Sequence, residues 1–239
     1  MAHLKLNNVS VNFNSIKSKR KLFPSIISKK NDITPLPFSL KNINLDLKSG
    51  DKIGLIGRNG AGKTTLLRVI AKILKPTNGE ILTVGSVGSL FGPIPFLNPM
   101  NSAFENIKTF SMLNELNRSE FEAVEHDVKT FIEIGDHYNK PVYTFSAGML
   151  ARFNFALLTA IRRDILVMDE EIGAGDIFFR QKIENRLKKL YENAEIIVIA
   201  SHSNSLIKQL CNQAILLENG TINFKGQVDE CLSLYQSYL

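Results

Sequence analysis

Gly57-Arg58-Asn59-Gly60-Ala61-Gly62-Lys63-Thr64 fits the pattern GxxxxGK[ST] and stands between two segments that give the pattern physical meaning. Asp51–Ile56 reads as a short buried strand, and Thr65–Ala71 opens a helix with good formers. A strand that turns through glycines into a helix aims successive backbone N–H groups, and the positive end of the helix dipole, at one point. The arrangement implies binding of a nucleoside triphosphate, with Lys63 on the β- and γ-phosphates and the Thr64 hydroxyl on Mg²⁺; Arg58, Asn59, Gly60, Ala61 and Thr65 complete the cradle.

Charge and cysteines narrow the surroundings. The chain of 239 residues carries a formal +6, yet residues 1–31 hold Lys5, Lys17, Lys19, Arg20, Lys21, Lys29 and Lys30 with no acid, so residues 32–239 are at −1. The basicity is local, which argues against a nucleic-acid-binding face spread over the fold. Cys211 and Cys231 form neither a CxxC pair nor a spaced ligand set, and a reduced, cytosolic setting is expected. The N-terminus lacks the pattern of a secretory signal. Residues 81–104 contain no charge, but Gly85, Gly88, Gly92, Pro93, Pro95 and Pro99 would break a spanning helix, so any membrane-crossing part is expected on another protein.

Strand and helix signals alternate along the chain. Strands are expected at Leu4–Phe13, Phe38–Leu47, Asp51–Ile56, Ile81–Val84, around Val87, and at 164–168, 195–200 and 214–217. The apolar spacing is helical from Asn101 to about Tyr138, and helices are expected at 176–191 and 203–210. The runs at 164–168 and 195–200 are uninterrupted and rich in β-branched residues, as strands buried on both faces are. Together these predict an α/β fold, a parallel sheet covered by helices, with a helical insertion between its halves.

Ile165-Leu166-Val167-Met168-Asp169-Glu170 ends an apolar strand in two carboxylates. Asp169 is placed to orient Mg²⁺, and Glu170, one residue on, to polarise the water that attacks the γ-phosphate.

With these motifs in place, the chain resembles the nucleotide-binding domain of ATP-binding-cassette (ABC) proteins over essentially its whole length. Phe145-Ser146-Ala147-Gly148-Met149 stands where that family keeps its LSGGQ signature, and retains Ser146 and Gly148. The resemblance implies a P-loop NTPase core with an N-terminal antiparallel β-subdomain. It makes 1–239 a single nucleotide-binding domain, with 1–92 and 164–239 as the ATP-binding core and 93–163 as a helical subdomain. It further implies a head-to-tail homodimer in which Ser146 and Gly148 complete the ATP site of the opposite subunit. Gly173-Ala174-Gly175-Asp176 matches the D-loop, so Asp176 joins the nucleotide site, and His202 takes the place of the switch histidine beside Glu170. Adenine is expected to stack on Phe13, with Phe38 as the competitor.

One departure stands out: the family's usual glutamine after the Val84/Val87 strands is absent, the first Gln of the chain being Gln181. Slow basal hydrolysis is the expected consequence. The modified signature, the glutamine-free loop followed by Asn98-Pro99 and Phe104-Glu105-Asn106-Ile107, and the basic insertion after the first strand are similar to the ATP-binding subunits of O-antigen and capsular polysaccharide exporters of the Wzt and KpsT type. That subfamily implies ATP hydrolysis at the cytoplasmic face of the inner membrane, coupled to an integral membrane permease and a lipid-linked polysaccharide. The helical insertion is expected to dock on that permease through the Phe91–Phe104 surface. The cations from Lys17 to Lys30 are expected to meet anionic lipid or a substrate pyrophosphate, and a solvated loop is the competing reading. A drug or lipid exporter subunit, a soluble ABC ATPase and a nucleotide sensor without turnover stay open as alternatives.

Overall fold

The computed structural model describes residues 1–13, 39–92, 94, 96–169 and 177–238, with no side-chain description for Ile177 and Phe178. The chain divides into two compact units. The first comprises Met1–Val87, Val167–Glu170 and Glu195–Leu239; the second comprises Gly88–Leu166 and Glu171–Ala194.

Strands β1 (His3–Val11), β2 (Leu40–Lys48) and β4 (Asn78–Val84) form an antiparallel sheet in the order β2-β1-β4. In β2 the apolar residues Leu40, Ile43, Leu45 and Leu47 are buried while their neighbours face water, the alternation a sheet with one covered face demands. The register slips in β1 between Leu6 and Val9. There Asn8 takes a φ of 49° and its N–H donates to Asn44 Oδ1 at 2.9 Å, so a bulge absorbs the extra residue.

A second sheet has six strands in the order β5-β6-β7-β3-β8-β9: β3 (Lys52–Ile56), β5 (Val87–Ser89), β6 (Ile165–Asp169), β7 (Ile196–Ala200), β8 (Gln213–Glu218) and β9 (Thr221–Gly226). β3 pairs in parallel with β7 and β8. Every residue of β7 is buried, and all but the first of β3, as the apolar runs predict. β9, a strand not among those expected from the sequence, pairs antiparallel with β8 at the end of the strand order. Asn219-Gly220 between them, at φ 48° and 80°, is a two-residue hairpin turn whose sequence is itself a strong hairpin signal. In β3, Gly54 has no room for a side chain: a Cβ would meet Ile207 Cγ2 at 2.6 Å, so the glycine seats a helix against the sheet.

The helices among the described residues are α1 (Lys63–Ile70), α2 (Ala103–Leu113), α3 (Arg118–Ile132), α4 (Ala147–Thr159), α5 (Ile177–Asn193), α6 (Asn204–Leu210) and α7 (Val228–Ser237). In the second unit, α2, α3 and α4 enclose a core of Ile107, Phe110, Val128, Ile132, Phe153 and Leu157 with their neighbours. Phe153 is fully buried, so truncating it to alanine would cost about 3–5 kcal/mol. Both α2 and α3 begin with capping boxes, Ser102/Glu105 and Asn117/Glu120, which satisfy the first N–H groups of each helix. No described helix is long and apolar enough to cross a membrane.

The uncharged segment expected to form a docking surface is in good part the core of its own unit. Ile94 is 7% exposed, Phe96 lies 5.6 Å from the Phe110 ring centroid, and Leu97 packs on the same cluster. What stays outward is Met100, 68% exposed, and Phe104, 38% exposed, with Tyr143 held beside them through its N–H to Pro99 O at 2.9 Å. Asn106, wholly buried, ties this stretch down. Its Oδ1 accepts from Asn98 N at 2.8 Å and its Nδ2 donates to the carbonyls of Asn98, Asn101 and Ser102 at 3.0, 3.3 and 2.9 Å.

Candidate functional site

The phosphate loop runs from the end of β3 to the start of α1 as the motif requires. Two of its glycines are sterically compelled. Gly57 has φ 152° and a Cβ there would meet Leu217 O at 2.3 Å, while Gly62 has φ 108° and would meet Ser39 O at 2.7 Å. Gly62 is the N-cap of α1 and contributes no side chain, and the first turn carries no acid. The leading N–H groups of the helix therefore have no capping side chain to bind, which is how a helix end that receives phosphate is built. Lys63 Nζ turns back on the loop and donates to Gly57 O at 2.5 Å and Arg58 O at 3.2 Å. Arg58, Asn59 and Gly60 form the exposed rim, and Ala61 is buried beneath it.

The two residues expected to hold Mg²⁺ meet. Thr64 Oγ1 donates to Asp169 Oδ2 at 3.0 Å, across 105 residues of sequence. A hydroxyl and a carboxylate presented together are the oxygen ligands a hard divalent cation takes. Among the described residues no group of three His, Cys, Asp or Glu side chains gathers elsewhere. The Thr64–Asp169 oxygen pair suits Mg²⁺, which is bound through one or two protein oxygens and completed by substrate phosphates.

Four supports of the loop escaped sequence reasoning. Ser39 Oγ lies 2.7 Å from Thr65 Oγ1, so Thr65 braces the loop against the start of β2. Gly220 N donates to Ala61 O at 3.0 Å and Gly220 O accepts from Lys41 N at 2.7 Å. Tyr235 and Tyr238 of the terminal helix line a hollow of 220 Å³ with Gly57–Ala61 and Leu216–Asn219. The Asn219-Gly220 turn was the one readable signal, since it predicts a tight hairpin whose tip must lie somewhere.

Other expected residues are placed one by one. Phe13 follows β1 with 37% of its surface exposed. His202 is exposed just after β7, in the loop where Ser201 Oγ accepts from Ser203 N at 2.9 Å. In the helical unit, Ser146 caps α4, its hydroxyl accepting from Met149 N at 3.2 Å, and Gly148 in the first turn is exposed. Glu170, the D-loop with Asp176, the competitor Phe38 and the basic stretch from Lys17 to Lys30 lie outside the described residues. In place of the glutamine stands Gly92, exposed and at φ 79°.

The family profile of the ABC transporters matches residues 40–173. The chain is 42% identical over 184 residues to the O-antigen export system ATP-binding protein RfbE of Yersinia enterocolitica, covering 77% of each. It is 32% identical over 226 residues to the teichoic acids export ATP-binding protein TagH of Shouchella clausii, covering 95% of this chain and 61% of that one. Among solved structures, the dimeric post-hydrolysis state of the ATP-binding cassette MJ0796, bound to ADP and Pi, superposes with a TM-score of 0.67 at 22% identity, covering 94% of this chain and 98% of that one.

Proposed function

The chain belongs to the ABC transporter family as one of its ATP-hydrolysing cassettes, and from that premise we propose that it powers export of a lipid-linked polysaccharide, of O-antigen or capsule type, through a separate integral membrane permease. The observation that carries the substrate class is the 42% identity to an O-antigen export ATP-binding protein over 77% of both chains. A teichoic acid type of polymer is the second reading, favoured by the match to TagH over 95% of this chain, of whose relative it spans 61%.

In this reading two copies bind ATP head to tail at the cytoplasmic face of the inner membrane, as peripheral subunits. Lys63 and the bare N-terminus of α1 neutralise the β- and γ-phosphates. Thr64 and Asp169 would hold Mg²⁺, which offsets charge developing on the phosphate oxygens. Glu170 takes the proton of the attacking water, His202 holds that water and the γ-phosphate in register, and Asp176 is assigned to nucleotide binding. Ser146 and Gly148 reach the nucleotide of the opposite copy, and Phe13 stacks on adenine. Met100, Phe104 and Tyr143 offer the permease an exposed apolar contact.

The test uses detergent-extracted membranes and an affinity handle on this chain. A small integral membrane protein should co-purify, and a lipid-linked glycan should stimulate ATP hydrolysis by the complex. Stimulation by an unrelated drug or lipid and by no glycan would move the assignment to another exporter class; co-purifying nucleic acid and no membrane protein would move it to the soluble ATPases. Glu170→Gln should trap an ATP-bound dimer, and an unchanged turnover would favour a nucleotide sensor.

A further inference from the structure

The helical unit carries a groove of 810 Å³ walled by α3, the end of α4 and α5. Its long walls are joined by two ion pairs. Arg186 grips Asp127, with Nη1 to Oδ1 at 3.1 Å, and Lys182 pairs with Glu133. Arg186 is fixed further by its Nη2 to Ala156 O at 3.4 Å and by the Phe131 ring, 4.6 Å below its guanidinium. These contacts consume the acids at the groove and leave cations over. Arg162 spends one N–H on Asn193 O at 3.2 Å, and the Lys189 ammonium, exposed in the lining, makes no ion pair among the described residues. The lining thus holds four cations, Arg162, Lys182, Arg186 and Lys189, against the single carboxylate of Asp127, with His126 beside them.

The bland account of such cations is that they offset the negative ends of helices. It serves for Arg162, whose bond to Asn193 O caps the end of α5, and fails for Lys189, which lies a turn inside that helix and whose ammonium bonds to no helix-end carbonyl among the described residues. A concave site with a guanidinium fork and a point-like ammonium suits an anion that presents several oxygens at once. The volume falls within the roughly 300–1,000 Å³ of small-molecule sites. We propose that this groove is a second ligand site, for a phosphate-bearing anion, separate from ATP and held chiefly by Lys189 and Arg162. It does not depend on which polymer is exported.

The experiment saturates the whole chain with a non-hydrolysable ATP analogue, so that the phosphate loop is filled, and titrates inorganic pyrophosphate by calorimetry. In parallel, the protein is floated with phosphatidylcholine vesicles with and without phosphatidylglycerol. Pyrophosphate should bind, Lys189→Ala should weaken it about tenfold, and Arg162→Ala/Lys189→Ala should remove it, with affinity for the ATP analogue unchanged. The Lys189 side chain is exposed and its ammonium has no polar partner among the described residues, so the single variant should keep the parent melting curve and separates binding from folding. Flotation that needs both phosphatidylglycerol and Lys189 would identify the phosphate as a lipid headgroup; pyrophosphate binding without such flotation would identify a soluble ligand. Failure of both probes, binding indifferent to Lys189→Ala, or binding of a polyglutamate peptide alone would each overturn the proposal, the last in favour of an acidic protein segment.

Discussion

Thr64 and Asp169, far apart in sequence, share a hydrogen bond of 3.0 Å at the mouth of the phosphate loop. The bond sets the spacing of two oxygens that in the ATP-bound enzyme would face one Mg²⁺. Thr64→Val and Asp169→Asn should each raise the Mg²⁺ concentration for half-maximal hydrolysis and lower the maximal rate, Asp169→Asn by about 100-fold. Steady-state ATPase assays across a Mg²⁺ series check this. A rate loss with unchanged Mg²⁺ dependence would assign the pair a purely structural part.

A second expectation concerns the Asn106 clamp. Four hydrogen bonds from one buried side chain hold Asn98, Asn101 and Ser102, and with them the turn that exposes Met100. Asn106→Leu keeps the branched outline of the side chain, adds bulk, and strands Asn98 N–H and several carbonyls. It should cost about 2–4 kcal/mol in chemical denaturation. Coupling to a permease should fall further than basal hydrolysis, because the turn rather than the nucleotide loop is released.

What could be read from the chain was what short stretches determine. The phosphate loop is a contiguous eight-residue device whose glycines answer to local φ and to close backbone approach, so its spelling and its geometry coincide. β2 declared itself by the alternation of Leu40, Ile43, Leu45 and Leu47, and Ser146 by standing ahead of an apolar helix as a cap. β9 was missed because only Ile222 and Phe224 alternate in it, too few to register without weighing the Asn219-Gly220 turn. Residues 91–104 were ambiguous in principle, since an uncharged segment covers a partner or its own core with the same composition; Ile94 and Phe96 went to the core. The Asn106 clamp was illegible because its partners are mostly backbone atoms. The groove around Lys189 was equally so, because it exists only where helices distant in sequence pack.

Acid should loosen the start of α2. The Ser102 backbone N–H, then its hydroxyl, hold the Glu105 carboxylate, and its pKa lies below the ordinary 4.5. With the folded value depressed, the stabilisation is complete above about 4.5 and is lost as pH falls through the folded pKa. Glu105→Gln, which carries no charge at any pH, should therefore lower the urea midpoint at neutral pH and flatten its fall below about 4.5, so that the two proteins converge in acid. An equal slope in both proteins would place the acid sensitivity elsewhere.

The two thiols should be inert while the protein is folded. Cys231 is fully buried in the cluster with Ile56, Ile207 and Leu232, and Cys211 packs against the same cluster. Burial pushes their pKa values up to about 11 and about 12, so at pH 8 almost no thiolate is present to attack. Iodoacetamide at that pH should label neither residue in the native protein and both in urea, as read by mass spectrometry. Rapid native labelling would mean that α7, which carries Cys231, opens readily.

Placing a glutamine at Gly92 should not by itself give fast hydrolysis. Gly92 has φ 79°, a conformation that costs a side-chain-bearing residue about 1–2 kcal/mol, although a Cβ there meets nothing within 4 Å. The obstacle is therefore backbone strain and not crowding, and it can be relieved only by changing the path of the loop after Leu90, which is itself buried. Gly92→Gln should lower the melting temperature by several degrees, and Gly92→Ala should do the same, since the strain comes from the Cβ and not from the amide. Basal turnover of the glutamine variant should stay within a few-fold of the parent. A variant that hydrolyses ATP about 100-fold faster without losing stability would mean that the loop adopts an ordinary φ at no cost, and that the glycine alone limits the rate.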